Sequence, residues 1–262
     1  MSRTMVMVHG AFVGGWCWEP FAEHFRRRGW RCLAPDLRHH GADDARDELG
    51  RTGLADFTAD LAELIGTLPD PPVLVGHSMG GLICQKLAAE GMARALVLLA
   101  PSPPWGILPA TQGEIEARLG LLGAGQFWDR ALAPDFGVAA SLALDKLDGS
   151  AQRAAFARFV PESGRALFEM LYWQLDLSQA SAVNARAIKC PVLFAVGAED
   201  KVNPPATVRA IARHYRGAVE YREFAGHSHY LFGEPGFEHI PAFCEDWLER
   251  AVNSPGDRRA AD

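Results

Sequence analysis

The chain has 262 residues, of which 48% are hydrophobic and 22% charged, which is typical of a folded globular protein. Its formal net charge of −6, without a cluster of lysine and arginine, argues against a nucleic-acid partner. Five widely spaced cysteines without a C-x-x-C motif indicate neither a disulfide framework nor a zinc site. A chain of this length fits one large domain with an insertion better than two equal domains.

Strand and helix patterns alternate along most of the chain. Short apolar runs bounded by Gly, Pro or Asp predict strands, and apolar residues at three- and four-residue spacing predict helices. Such alternation is typical of a mostly parallel sheet of about six strands flanked by helices. The predicted strands are 5–8, 30–34, 73–75, 95–99, 191–196 and 218–224, and the predicted helices are 18–28, 54–68, 79–90, 206–215 and 237–252.

The rhythm changes between residues 103 and 184, where only helical periodicity with Gly and Pro breaks is found. Aromatic residues recur through this segment, which is the composition of a helical cap inserted into a core. We therefore expect residues 1–102 and 185–252 to form an α/β core and residues 103–184 to form the cap. The tail, residues 253–262, is rich in charge and is expected to be disordered.

A glycine-bounded serine lies between a predicted strand and a predicted helix. Residues 76–80 read Gly-His-Ser-Met-Gly, the pattern of a nucleophile elbow, in which a sharp turn exposes the Ser78 hydroxyl. Side chains at Gly76 and Gly80 would collide where the strand meets the helix. Since short motifs of this kind also occur by chance, the rest of the chain has to supply the partners of Ser78.

A serine nucleophile needs a histidine base and a carboxylate that orients the base. Functional groups collect at the carboxyl ends of parallel strands, and Asp200 follows one predicted strand. His227 directly follows the next strand and is the favoured base, with His229 as the competing candidate. Glu199 is the alternative acid. The position after the fourth strand, another place for an acid, holds Ser102.

Two backbone N–H groups are needed to bind the oxyanion that forms during attack on a carbonyl. One is expected from Met79, the residue after the nucleophile, at the start of its helix. The other is expected from the glycine-rich loop after the first strand, from Ala11 or, less favoured, from Phe12.

Five segments in this order resemble the α/β-hydrolase superfamily: His9-Gly10-Ala11, residues 34–37, residues 76–81, residues 197–200 and Gly226-His227. The resemblance covers nearly the whole chain and implies the fold described above. The residues around 8–18 and 226–235 are similar to the branch of plant methylesterases and hydroxynitrile lyases with their bacterial relatives. The lyases of that branch carry a lysine after the catalytic histidine, where this chain has Ser228 after His227.

The resemblance implies a serine hydrolase that cuts a carboxylic ester or lactone of small to medium, largely apolar substrates through an acyl-enzyme at Ser78. Phe12 and the cap residues Trp105, Trp128 and Trp173 are expected to contact the substrate. No cofactor, metal, nucleic acid or membrane is expected, and the protein is expected to be a cytoplasmic monomer or homodimer. The alternatives are a thioesterase, a C–C bond hydrolase, a lyase or cyclase, a cofactor-free oxygenase, or a ligand sensor with a vestigial triad.

Overall fold

The computed structural model describes residues 3–41, 46–123 and 125–252. The expectation for residues 253–262 lies outside this range. The strands are β1 Thr4–Val8, β2 Arg31–Leu33, β3 Val73–His77, β4 Ala95–Leu99, β5 Ala131–Leu132, β6 Glu162–Ser163, β7 Val192–Gly197 and β8 Val219–Phe224. The helices are α1 Glu19–Arg26, α2 Leu54–Gly66, α3 Met79–Ala89, α4 Gln112–Gly123, α5 Phe136–Val138, α6 Gly149–Phe156, α7 Gly164–Leu171, α8 Pro205–Ala212 and α9 His239–Val252.

Six strands form one parallel sheet in the order β2-β1-β3-β4-β7-β8. Every residue of β1, β3, β4 and β7 is buried, as expected for strands covered by helices on both faces. Val75 pairs with Met7 on one side and Val97 on the other, which places β3 in the middle of the sheet. The predicted α/β-hydrolase architecture with a six-stranded sheet is confirmed.

The parallel pairing brings the carboxyl ends of β1, β3, β4, β7 and β8 to one edge of the sheet. The segments that follow these strands begin at His9, Ser78, Ala100, Ala198 and Ala225. Residues far apart in sequence therefore meet above this edge, and the site described below is built there.

The chain between β4 and β7 contains α4 to α7, and we call residues 103–184 the cap segment. It is not purely helical, contrary to the sequence-based expectation. β5 and β6 form a two-stranded antiparallel ladder in which Ala131 pairs with Ser163 and Leu132 with Glu162. These strands have two residues each, too short for an alternating pattern to be visible in the sequence.

All five cysteines are free thiols, and Cys17, Cys84 and Cys244 are buried. Within the described ranges, the helices include none that is both long and apolar enough to cross a lipid bilayer.

Candidate active site

Ser78 occupies a strained turn between β3 and α3. Its φ of 50° and ψ of −120° lie in a region that non-glycine residues rarely adopt. The turn is fixed by close packing, because a Cβ on Gly80 would lie 2.2 Å from the Val8 carbonyl oxygen and one on Gly76 would lie 2.6 Å from the Gly80 carbonyl oxygen. The glycines of the motif are therefore required by contact, and they hold Ser78 at the sheet edge.

Asp200 lies just after β7 and is hydrogen-bonded to His229, not to His227. His229 Nδ1 donates to Asp200 Oδ2 across 2.8 Å. The other oxygen, Oδ1, accepts the backbone N–H groups of Val202 and Asn203, each at 2.8 Å. Asp200 is 4% exposed and His229 6%. The expected pairing of Asp200 with His227 is wrong, and the competing candidate His229 takes its place.

His227 forms a separate pair with Glu234. Its Nδ1 donates to Glu234 Oε2 across 2.9 Å, and the same oxygen accepts the N–H of Ser228 at 2.9 Å. Oε1 accepts the N–H of Tyr230 at 3.0 Å. Burial raises the pKa of Glu234 above its usual value, although the N–H of Ser228 and the side chain of His227 oppose this. In the sequence, Glu234 lies in the segment that resembles the methylesterase branch, but no role for its side chain was predicted.

The backbone explains why the second histidine reaches Asp200. The carbonyl oxygen of His227 accepts the Glu199 N–H at 3.0 Å, so the backbone at residue 227 is paired with the segment that directly follows β7. A Cβ on Gly197 would lie 2.1 Å from the Ser228 carbonyl oxygen, which shows how closely this stretch packs on β7. The side chain that reaches Asp200 is that of His229, two residues further along the chain.

His77, the residue before Ser78, fixes the position of His229. Its Nε2 donates to the His229 carbonyl oxygen across 2.9 Å, and the two ring centroids are 4.5 Å apart. Burial and the neighbouring His229 lower the pKa of His77 well below its usual value, so the ring is neutral. This contact links the loop after β8 to the elbow and places the His229 ring against the residue that precedes Ser78.

Ser102 and Asn203 complete the polar network at the sheet edge. The Ser102 N–H donates to the Ser78 carbonyl oxygen at 2.9 Å, and the two hydroxyl oxygens are 3.4 Å apart. Asn203 Nδ2 donates to the Ala100 carbonyl oxygen at 2.8 Å. The position after β4 thus supports the backbone of the nucleophile and the segment that carries Asp200.

The loop after β1, residues 9–14, packs directly on the elbow. A Cβ on Gly10 would lie 2.9 Å from His77 Nδ1 and 3.0 Å from Ser78 Cβ. The N–H of Phe12 donates to Glu162 Oε2 of the cap segment at 3.1 Å. Since the Phe12 N–H is already bonded to Glu162, it is less available than the Ala11 N–H for the oxyanion role that the sequence predicts.

The tryptophans of the cap segment pack mainly against each other and other aromatic rings. Trp105 lies 5.0 Å from Trp173, and Trp128 lies 5.5 Å from Phe168, between ring centroids. Trp105 lines a cavity of about 210 Å³ and Trp128 one of about 450 Å³. Among the described residues that line these two cavities, Ser78, Asp200 and His229 are not found. The expected substrate contacts of these tryptophans therefore stay predictions.

The histidines and carboxylates of this edge are bonded to each other and to the backbone. Within residues 3–41, 46–123 and 125–252, no group of three or more His, Cys, Asp or Glu side chains is arranged to hold a metal ion. His40 bonds Glu162 and lies 5.1 Å from the ring of His9, so these histidines are used within the protein.

The order of the strands in the sheet agrees with what comparison with known proteins finds. The sequence model of the alpha/beta hydrolase family matches residues 5–238. The chain belongs to the alpha/beta hydrolase family. Its match extends from β1 to the segment before α9 and includes every residue of the site described above.

Relatives of this alpha/beta hydrolase include plant and bacterial proteins. Methylesterase 3 of Arabidopsis thaliana is 39% identical over 83 residues, 31% of this chain and 32% of that protein. The pyrethroid hydrolase of Sphingobium wenxiniae is 25% identical over 270 residues, 98% of this chain and 94% of that protein. The crystal structure of the Arabidopsis methylesterase MES16 superposes with a TM-score of 0.70 at 19% identity, covering 95% of this chain and 98% of that one.

These matches confirm the resemblance to the plant methylesterase branch and its bacterial relatives. The chain spans about a third of the length of the plant methylesterase that it matches. The structural likeness, at an identity below one in four, concerns the fold.

Proposed function

We propose that this alpha/beta hydrolase is a carboxylic ester hydrolase in which Ser78 is the nucleophile, His229 the general base and Asp200 the acid that orients His229. The observation that carries the proposal is the 2.8 Å bond from His229 to Asp200, in a loop fastened by His77 to the elbow of Ser78. Relatives named methylesterase and pyrethroid hydrolase support ester chemistry over the alternatives.

The Asp200 bond decides which nitrogen of His229 acts on Ser78. A carboxylate only accepts hydrogen bonds, so the proton of the neutral imidazole is on Nδ1 and the lone pair is on Nε2. Nε2 takes the Ser78 proton as Oγ bonds to the ester carbonyl carbon. The imidazolium then returns this proton to the departing alcohol, leaving an acyl ester on Ser78. A water molecule, deprotonated by His229 in the same way, attacks that ester, and the imidazolium returns the proton to Ser78 Oγ as the bond to the acyl group breaks and the carboxylic acid leaves.

The negative oxygen of the tetrahedral intermediate needs two donors in place before reaction. The N–H groups of Met79 and Ala11 are proposed for this role. Met79 begins α3, where the helix dipole also favours negative charge. Gly10 lets the loop after β1 approach Ser78 closely enough for Ala11 to serve as the second donor.

The substrate is proposed to be a small to medium, largely apolar ester or lactone bound between the sheet edge and the cap segment. Cyanohydrin cleavage is disfavoured, because Tyr230 follows His229 where the lyases of this branch carry a lysine. Phe12 and the three tryptophans of the cap segment remain the proposed contacts for the acyl or alcohol group.

The proposal is tested with a fluorophosphonate and a panel of p-nitrophenyl esters of increasing chain length. Intact-protein mass spectrometry of the wild type should show one phosphonyl group, and Ser78→Ala should show none. Ester turnover should fall by about 10⁴–10⁶-fold in Ser78→Ala, as when a serine nucleophile is removed from a triad.

Ser102→Ala is the matched control, since its hydroxyl lies 3.4 Å from that of Ser78 without being the nucleophile. It should keep both labelling and most of the turnover. Labelling that persists in Ser78→Ala, or natural turnover that survives this change, would show that Ser78 is not the nucleophile.

A further inference from the structure

The cap segment holds the backbone of Phe12 on both sides. The Phe12 N–H donates to Glu162 Oε2 at 3.1 Å, and the Phe12 carbonyl oxygen accepts the Val160 N–H at 2.9 Å. The φ of Phe12 is 65°, a left-handed conformation that costs a non-glycine residue free energy. Two hydrogen bonds from a segment 150 residues away keep Phe12 in this conformation.

The carboxylate of Glu162 is fully buried and accepts three hydrogen bonds. In addition to Phe12, it binds His40 Nε2 at 3.0 Å through Oε2 and the Ser163 N–H at 2.7 Å through Oε1. Burial alone would raise the pKa of Glu162, but the attraction of His40 and these hydrogen bonds hold it below its usual value. Glu162 is therefore charged.

His40 is the matching cation. Its Nε2 faces the Glu162 carboxylate and its Nδ1 faces the Arg38 carbonyl oxygen at 3.0 Å, so both nitrogens act as donors, as in an imidazolium. Burial alone would lower the pKa of His40, but the charge of Glu162, assisted by Asp36, raises it above its usual value.

The adjacent His9 is the neutral member of this cluster. Its Nε2 accepts the Leu37 N–H at 3.0 Å, and its Nδ1 donates to the Gly10 carbonyl oxygen at 2.8 Å. Burial and the nearby His40 lower the pKa of His9 to about 3. The loop after β1 is thus held by His9 at Gly10 and by Glu162 at Phe12, with Ala11 between the two.

A buried ion pair contributes little to stability, because the cost of removing both charges from water offsets their attraction. Of the three described bonds to Glu162 Oε1 and Oε2, one stays within the cap segment and one goes to His40, whereas the third ends on the loop that packs on the elbow of Ser78. The bond to Phe12 therefore suggests that the ion pair acts on the loop after β1 and does not serve stability alone.

We propose that Glu162 is a positioning residue, which with His40 sets the Ala11 N–H at the distance an oxyanion requires and makes this donor depend on the docked cap segment. The inference rests on the proposed function, since it assigns a role in the same reaction. A donor that meets only the transition state changes kcat more than KM, because the ground-state ester does not use it fully.

The test compares Glu162→Gln with Glu169→Gln. Glu169 is the matched control, a buried carboxylate of the cap segment that also accepts a core N–H, that of Leu54 at 2.8 Å, and the side chain of Arg165 at 2.6 Å. Both variants weaken the docking of the cap segment, but only Glu162→Gln disturbs the loop after β1.

In Glu162→Gln, we expect kcat for a p-nitrophenyl ester to fall at least tenfold, with KM within threefold of the wild type. Affinity for an alkyl boronic acid, which forms a tetrahedral adduct on Ser78, should fall by a similar factor. Glu169→Gln should change neither kcat nor boronate affinity more than twofold, while its thermal midpoint falls as in Glu162→Gln.

Glu162→Asp is the second variant, used if Glu162→Gln does not fold. Its carboxylate stays charged beside His40 but is one methylene farther from Phe12, so the same loss of kcat is expected. A kcat in Glu162→Gln or Glu162→Asp equal to that of Glu169→Gln, or a change confined to KM, would overturn the inference. If the wild type neither turns over esters nor labels at Ser78, the proposed function fails instead.

Discussion

Two histidines that lie two residues apart in the loop after β8 each bind a carboxylate, and the two pairs differ in which parts of the chain they connect. In both, Nδ1 of a buried histidine donates to a buried carboxylate, across 2.9 Å for His227–Glu234 and 2.8 Å for His229–Asp200. Glu234 is seven residues from its partner, in the same loop. Asp200 lies 29 residues from His229, at the end of β7.

The surroundings of the two imidazoles differ in the same way. The ring of His229 contacts His77, next to Ser78, whereas the ring of His227 contacts His239 at the start of α9, with centroids 4.9 Å apart. The local pair closes the loop, and the long-range pair ties it to the strand ends where chemistry is expected. The two pairs have the same chemical groups, and they are distinguished by location: only the His229–Asp200 pair joins the loop to the end of β7.

The largest effect that tests this difference is expected from the histidines themselves. His229→Ala should lower kcat/KM for an ester by about 10⁴–10⁶-fold, since both proton transfers lose their base. His227→Ala, the matched control with the same change, should stay within about tenfold of the wild type. The measurement is steady-state hydrolysis of a p-nitrophenyl ester, and the opposite ranking would restore His227 as the base.

A somewhat smaller effect is expected from the carboxylates. In Asp200→Asn, the amide can donate to His229 Nδ1 and so favour the tautomer whose Nε2 carries the proton, which should lower kcat by about 10³–10⁴-fold. Glu234→Gln should lower kcat less than tenfold. Titration of the ring nitrogens by NMR would show the tautomer change, and equal losses of kcat in the two variants would contradict the assignment.

The local pair should matter for folding. Glu234→Ala leaves the N–H groups of Ser228 and Tyr230 and the Nδ1 of His227 without their acceptor, and each buried group that stays unpaired costs about 1–3 kcal/mol. Urea unfolding should therefore show a lower free energy of unfolding, with kcat per folded molecule largely kept. Unchanged stability together with lost activity would place Glu234 in the chemistry.

The smallest effect concerns a third histidine–carboxylate pair, His40–Glu162. Unlike the other two pairs, it joins the core to the cap segment. The raised pKa of His40 means that its stabilising contribution is complete below the unfolded pKa, near 6.5, and is lost as pH rises through the folded pKa. The lowered pKa of Glu162 means that its contribution is present above the unfolded value, near 4.5, and is lost as pH falls through the folded pKa.

The stability advantage of the wild type over Glu162→Gln should therefore be greatest between these limits and shrink towards alkaline pH. Urea unfolding of both proteins at a series of pH values measures it. An advantage that grows as pH rises above neutrality would show that His40 is not the cation of the pair.

Much of the core could be predicted from the sequence, because its signals are local. The apolar runs 5–8 and 95–99 correspond closely to β1 and β4, and the glycines beside Ser78 mark a turn whose packing tolerates no Cβ. The partner of Asp200 could not be predicted with the same certainty. His227 and His229 both follow β8, and the sequence does not show which of them bonds to Asp200. In the structure, the His227 carbonyl oxygen accepts the Glu199 N–H, and the His229 side chain binds Asp200.

The cap segment was predicted less well, for a physical reason. The paired strands β5 and β6 have two residues each, and Glu162 gains its role from Phe12 and His40, which are 150 and 122 residues away. A glutamate in a helical segment looks like a solvated charge until these distant partners are known.

The two hydrogen bonds that the cap segment makes to the Phe12 backbone have a consequence for protein engineering. Exchanging caps between members of a hydrolase family is a direct way to alter substrate range while keeping a working core. In this protein, a grafted cap would also have to supply an N–H at position 160 and a carboxylate at position 162, because both support the loop after β1. Cap residues outside this two-point attachment are the safer ones to diversify in a library.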